Sequence, residues 1–184
     1  MPDNSKGGLA ELVLGKDFVS LLNCVFGFYS IYFFLQNRFE AGLVMIVLAF
    51  VADILDGEIA RSLFEPTEFG KRMDMADLVS FGAAPAMLVI LWMGPLAASP
   101  FESTMVHAAA ACLLSAELLR LARFQTKESE GNYFSGLPGT ANGVIYPLIY
   151  LINPGLYPVI IITFLISGLM VSSIKLPLKS PWLD

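Results

Sequence analysis

The 184-residue sequence is 56 % hydrophobic and only 15 % charged, with a mean hydropathy of +0.69, which excludes an ordinary soluble domain. Its net charge of −5 says little for such a chain, where the placement of Lys and Arg relative to the spans matters instead. Cys24 and Cys112 both fall inside apolar runs, so they are expected to be packing residues, with no disulfide framework and no zinc site.

Residues 1–17, MPDNSKGGLAELVLGKD, lack the basic start, apolar middle and small-residue cleavage site of a secretion signal. They are expected to be a mature juxtamembrane segment, with Leu9, Leu12 and Val13 on one side of a short interfacial helix. Apolar runs near the length of a spanning helix, about 20 residues, come next at 18–35, 41–63, 78–98, 105–124, 139–152 and 157–174. The fold class expected is therefore an all-α integral membrane protein of about six transmembrane helices, its membrane domain at 18–175 and a cytoplasmic tail at 176–184. No internal repeat or low-complexity segment stands out, and there is no room for a separate soluble domain.

The distribution of positive charge tests that layout. Lys6, Lys16, Arg61, Lys71, Arg72, Arg120, Arg123, Lys127, Lys175 and Lys179 fall on one side of the six-span arrangement, and only Arg38 on the other. The positive-inside rule then puts both termini in the cytoplasm and turns the Lys- and Arg-free loops MGPLAASPFEST and INPGLYP outward. His107, at the outer end of the fourth span, is expected to be structural or interfacial.

The second span ends in VADILDGEIAR, which carries Asp53 and Asp56 into an apolar helix. An ionised Asp at the centre of a membrane helix costs roughly 2.5–3.5 kcal/mol on insertion scales, so these acids need a partner. At 100° per residue Asp53, Asp56, Gly57 and Ala60 share one stripe, with Arg61 at its edge. Asp74 and Asp77 open the third span from the same side, so two helix ends can present four carboxylates to one another. Crowded in this way they repel, and either a proton or a cation sits among them. Oxygen donors with no His or Cys nearby favour Mg²⁺, Mn²⁺ or Ca²⁺ over zinc. Two plainer readings stand beside this one. The small residues of the stripe also suit close helix packing, and the acids could pair with Arg61, Lys71, Arg72 or Arg120 in a buried structural network.

The segment DILDGEIARSLFEPTEFGKRMD resembles the signature of the CDP-alcohol phosphatidyltransferases, D-x-x-D-G-x-x-A-R, eight residues, then G-x-x-x-D-x-x-x-D. Asp53, Asp56, Gly57, Ala60, Arg61, Gly70 and Asp74 stand at the family spacing. The last interval departs from it: DMAD leaves two residues between Asp74 and Asp77 instead of three. On a regular helix a step of three rather than four rotates a side chain by about 100°. The start of the third span is therefore expected to be wound differently, or Asp77 to reach its target from another angle. DLVSFG, LLRLARF and FSGLPG resemble the branch that makes phosphatidylserine or archaetidylserine, although Gly139 and Asn142 stand where Pro and Ala are expected.

The resemblance implies a transfer at phosphorus: a hydroxyl, that of L-serine in this branch, attacks the β-phosphoryl group of a CDP-lipid, and CMP leaves. It further implies two divalent cations, Mg²⁺ or Mn²⁺, on Asp53, Asp56, Asp74 and Asp77, with Asp77 also the general base. Gly57, Ala60, Arg61 and Gly70 would contact the CDP-lipid, and Arg120 and Arg123 would hold the acceptor or a phosphate. A homodimer in a prokaryotic cell membrane, its site facing the cytoplasm and with no nucleic-acid partner, completes the expectation. The alternatives are glycerol 3-phosphate or inositol phosphate as acceptor and, more remotely, a cation-coupled transporter.

Overall fold

The computed structural model describes residues 15–63, 75–126 and 133–177, with side-chain surroundings for 20–55, 75–123 and 136–174. Residues 1–14, 64–74 with Gly70 and Asp74, 127–132 and 178–184 lie outside the described residues.

Helix α1, Gly15–Leu35, turns back into α2, Phe39–Leu63, through three residues. The turn is a Schellman motif. Asn37 takes the left-handed conformation at φ 59°, its N–H donates to the Phe34 carbonyl at 2.9 Å, and the Arg38 N–H donates to the Phe33 carbonyl at 2.9 Å. Arg38 then lies over the Phe33 ring, 5.2 Å from its centroid. Gly42 lets α2 close on α1, because a Cβ there would fall 2.3 Å from the Phe34 ring.

The third helical run, α3, covers Leu78–Leu96. It starts as a π-helix over Leu78–Ala83, continues as an α-helix over Ala84–Met93 and ends in the 3₁₀ turn Gly94–Leu96. Helix α4, Pro100–Thr126, begins before the expected Met105 because SPFE forms a capping box. The Glu102 N–H donates to Ser99 Oγ at 3.2 Å, and Glu102 Oε2 accepts from the Ser99 and Ala98 N–H groups at 3.1 and 2.6 Å. The 3₁₀ turn Gly139–Ala141 leads into α5, Asn142–Ile152, and α6 spans Leu156–Val171.

The sequence pattern predicts no strand, yet β1, Tyr133–Ser135, pairs antiparallel with β2, Lys175–Pro177, in the register Phe134 to Leu176. Apart from this ladder the described fold is helical. The ladder is closed at Gly136, whose φ of +85° brings its Cα against the Met170 carbonyl, where a Cβ would fall 2.5 Å away.

α1 packs along α2, α4 along α6 and α3, and α5 against α2. Phe34, Ile46, Leu88, Val89, Met93, Leu113, Tyr146, Val159 and Met170 fill the space between them. Equally apolar residues face outward, among them Phe28, Leu35, Leu151, Ile152 and Leu165. An apolar surface on both sides of a helix suits a lipid surround rather than water. Leu78–Leu96 and Pro100–Arg123 are long and apolar enough to cross a membrane, with the shorter apolar helices Ser20–Leu35, Gly139–Ile152 and Leu156–Val171 beside them. Phe39, Tyr150 and Trp92 cluster by the start of α2, with Trp92 and Tyr150 ring centroids 4.9 Å apart, while Asp53 and Asp56 lie in the second half of that helix.

Candidate functional site

Asp77 stands immediately before α3 and is buried. The Asn23 side chain, from α1, donates through Nδ2 to Asp77 Oδ1 at 2.8 Å. Asn23 is itself tied down, since Ser80 Oγ donates to its main-chain carbonyl at 2.8 Å. One turn along α1, Gly27 makes the close approach possible: a Cβ there would lie 2.4 Å from Ser80 Oγ and 2.8 Å from its Cα. Ser80 lies in the DLVSFG stretch, but the sequence gives neither it nor Asn23 a contact. The structure joins them into one unit around Asp77.

That unit rests on the π-helical start of α3. Winding with i→i+5 bonds breaks the regular ladder, a feature common where a helix serves a site. The break is served from α5, where Asn142 Nδ2 donates to the Phe81 carbonyl at 2.8 Å. Asn142, which stands where Ala is expected, therefore has a structural task. Irregular winding thus follows directly after Asp77, while Asp74, the other end of the shortened interval, lies outside the described residues.

Asp53 is half-buried on α2. Burial first, and then the charge of Asp53, push the Asp77 carboxyl well above the ordinary carboxylate range; Arg120 and the Asn23 hydrogen bond pull it down and Glu117 pushes it up. The charge of Asp53 on α2 is thus felt at Asp77. Asp56, Gly57, Ala60 and Arg61 continue α2 on the turns after Asp53, their side-chain surroundings outside the described set, as are Gly70 and Asp74 altogether. Among the described residues no three His, Cys, Asp or Glu side chains gather, since only Asp53 and Asp77 of the expected four belong to that set. The donors present fit a hard divalent cation: carboxylate oxygens, with the buried Asn23 Oδ1 lacking a hydrogen-bond partner beside them.

Across the site lies a pair that sequence reading does not predict. Glu117 of α4 is fully buried, and Arg120 Nη2 donates to its Oε1 at 2.7 Å while Nε approaches Oε2 at 3.4 Å. Two glycines wall the carboxylate. A Cβ at Gly82 would meet Glu117 Cγ at 3.1 Å, and one at Gly139 would fall 2.2 Å from both carboxylate oxygens. Glycine at 139 in place of the expected Pro is explained by this seat. The available signal was an acid within an apolar span, one turn from an arginine. Arg123 points elsewhere: it donates through Nη1 to the Ser172 carbonyl at 2.9 Å and through Nη2 to that of Val171, capping the C-terminal end of α6. His107 is exposed on α4, its Nδ1 2.7 Å from the Ser103 carbonyl oxygen.

Comparison with known proteins places these residues in context. A family model described as CDP-alcohol phosphatidyltransferase matches residues 16–174. The archaetidylserine synthase of Methanothermobacter thermautotrophicus is 34 % identical over 175 residues, covering 92 % of this chain and 72 % of its own length. The CDP-diacylglycerol–serine O-phosphatidyltransferase of Methanocaldococcus jannaschii is 34 % identical over 176 residues, covering 92 % and 76 %. The protein of that name from Bacillus subtilis is 30 % identical over 164 residues, covering 86 % and 87 %.

Proposed function

The chain belongs to the CDP-alcohol phosphatidyltransferase family, and from that premise we propose that it is a membrane transferase of phospholipid biosynthesis. It moves a phosphatidyl or archaetidyl group from a CDP-lipid to the hydroxyl of L-serine and releases CMP. The relatives named for serine support the acceptor. The observation that carries the chemistry is the buried Asp77 carboxylate, fixed by Asn23 and opposed by Asp53.

Asp53, Asp56, Asp74 and Asp77 would hold two divalent cations, Mg²⁺ or Mn²⁺, which when bound supply the charge that stabilises the diphosphate and the departing CMP. Asp77 takes the proton from the serine hydroxyl as its oxygen forms the new bond to phosphorus and the bond from that phosphorus to the CMP oxygen breaks. A carboxylate with a raised affinity for protons is a better base than an exposed one. Gly57 and Ala60 leave room for the cytidine, while Arg61, on α2, and Gly70 meet the CDP-lipid. Arg120 holds the acceptor's anionic group. Arg123, expected to share that work, has hydrogen bonds to Val171 and Ser172 that support a role at the end of α6 instead.

In this reading six helices span the bilayer from 18–175, both termini and the site face the cytoplasm, and the chain works as a homodimer. The deciding assay uses purified protein, CDP-lipid and Mg²⁺ or Mn²⁺, with CMP release measured for serine, glycerol 3-phosphate and inositol phosphate in turn. Serine-dependent release is the expected result. Release with a phosphorylated acceptor alone would overturn the choice of serine, and release with none would overturn the enzyme reading.

A further inference from the structure

The mechanism leaves Glu117 without a task, although it is a fully buried acid in a helix long and apolar enough to cross a membrane. Its seat is shaped for it. Gly139 removes a side chain that would occupy its volume and brings bare backbone against both carboxylate oxygens, and Gly82 lets the Glu117 stem pack closely on α3. Arg120 supplies the opposite charge through Nε and Nη2, which leaves the end of the guanidinium, Nη1 and the outer Nη2 hydrogen, as the edge that can take a further anion. The pair belongs to the site, since Gly82, in the π-wound segment that follows Asp77, packs against the Glu117 side chain.

We infer that Glu117 determines which acceptor the site takes: it neutralises Arg120, so that the pair favours a zwitterionic amino acid and disfavours a dianionic phosphate ester. The inference rests on the reading of Arg120 as the acceptor-binding residue. A carboxylate can still form paired hydrogen bonds with the free edge of the guanidinium. A phosphate dianion brings twice the charge towards Glu117, with the single guanidinium of Arg120 shared between them. In a site screened from water that mismatch is far more costly than in solution. An Arg without the acid beside it would be an ordinary phosphate-binding residue.

The test is equilibrium binding of labelled L-serine and glycerol 3-phosphate to the purified full chain with CMP and Mg²⁺ present, so that no turnover is required. The unaltered protein is expected to favour serine by about tenfold or more. Glu117→Gln keeps the shape and a hydrogen-bond acceptor for Arg120 while removing the charge. It should tighten glycerol 3-phosphate about tenfold and move serine less than about threefold. Gly139→Ala, which keeps every charge but displaces the carboxylate from its seat, should shift the ratio the same way, and it decides the matter if Glu117→Gln does not fold. The inference is overturned if the unaltered protein favours glycerol 3-phosphate, or if the two ligands shift together or not at all. Serine-dependent CMP release is measured in parallel: its absence beside a changed binding ratio sinks the serine reaction and leaves the role of Glu117 standing, and the reverse result does the opposite.

Discussion

Asn23 and Asp77, 54 residues apart in sequence, meet in a buried hydrogen bond of 2.8 Å that joins the first helix to the start of the third. Removing the donor leaves a buried carboxylate with one contact fewer, and such losses cost about 1–3 kcal/mol. Asn23→Ala is expected to lower the melting temperature in detergent by several degrees and to reduce kcat more than it raises the KM for CDP-lipid. Unchanged kcat would show that Asp77 needs no such support.

The shifted carboxyl of Asp77 gives stability a definite pH slope. Because its folded value is raised, the folded chain keeps a proton that the unfolded chain releases near the ordinary value of about 4. Stability is then full below that value and falls as pH rises through the raised folded value. In chelator the melting temperature should decline over that window, and Mg²⁺ should flatten the decline by favouring the ionised form. Asp77→Asn should be flat with or without Mg²⁺. A slope of the opposite sign, or one that survives in Asp77→Asn, assigns the effect to other groups.

Asp56 lies one turn from Asp53, on the same stripe of α2. Asp56→Asn is expected to cut CMP release by at least about a hundredfold while the protein still inserts and elutes as a folded species. Retained turnover would remove Asp56 from the essential ligands.

The two arginines of α4 should separate cleanly. Arg120→Lys loses the planar fork and is expected to raise the KM for the acceptor by about tenfold. Arg123→Gln gives up hydrogen bonds to the end of α6 and should lower stability by about 1–3 kcal/mol, with the KM for serine unmoved. A raised KM in Arg123→Gln with unchanged stability would return Arg123 to the substrate.

Gly27 sits where α1 touches the backbone of Ser80. Gly27→Ala overpacks that contact, and overpacking typically costs about 1–3 kcal/mol, so the melting temperature should fall by roughly 2–12 °C. A melting temperature within a degree of the unaltered protein would show that the two helices separate freely there.

The sequence disclosed the helices well because apolar runs and their breaks are local signals. Boundaries at Leu35, Leu63 and Ile152 agree with the pattern. The start of α4 moved to Pro100 because a capping box, rather than hydropathy, decides where a helix begins. The short ladder was invisible, since three-residue strands carry no measurable alternation and Gly136 acts through its φ. Asp53 and Asp77 announced themselves as acids out of place. Asn23, Gly27, Gly139 and Asn142 did not, because their meaning lies in neighbours distant in sequence and no periodicity encodes such a pairing. Glu117 lay between these cases: an acid in a span was visible, whereas the glycine walls around it were not.

The π-helical opening of α3 bears on how this chain tolerates changes in length. A π turn holds about one residue more than an α turn, so a helix that can switch between the two windings can gain or lose a residue upstream without rotating its later turns. The interval from Asp74 to Asp77 is one residue short of the family spacing, and Leu78–Ala83, directly after it, is the single π-wound stretch among the described residues. Such a segment acts as slack in the register. Loss of a further residue upstream, which on a rigid α-helix would turn every later side chain of α3 by about 100°, would be taken up by rewinding the π turn as α, leaving Leu88, Val89 and Met93 in their places in the core.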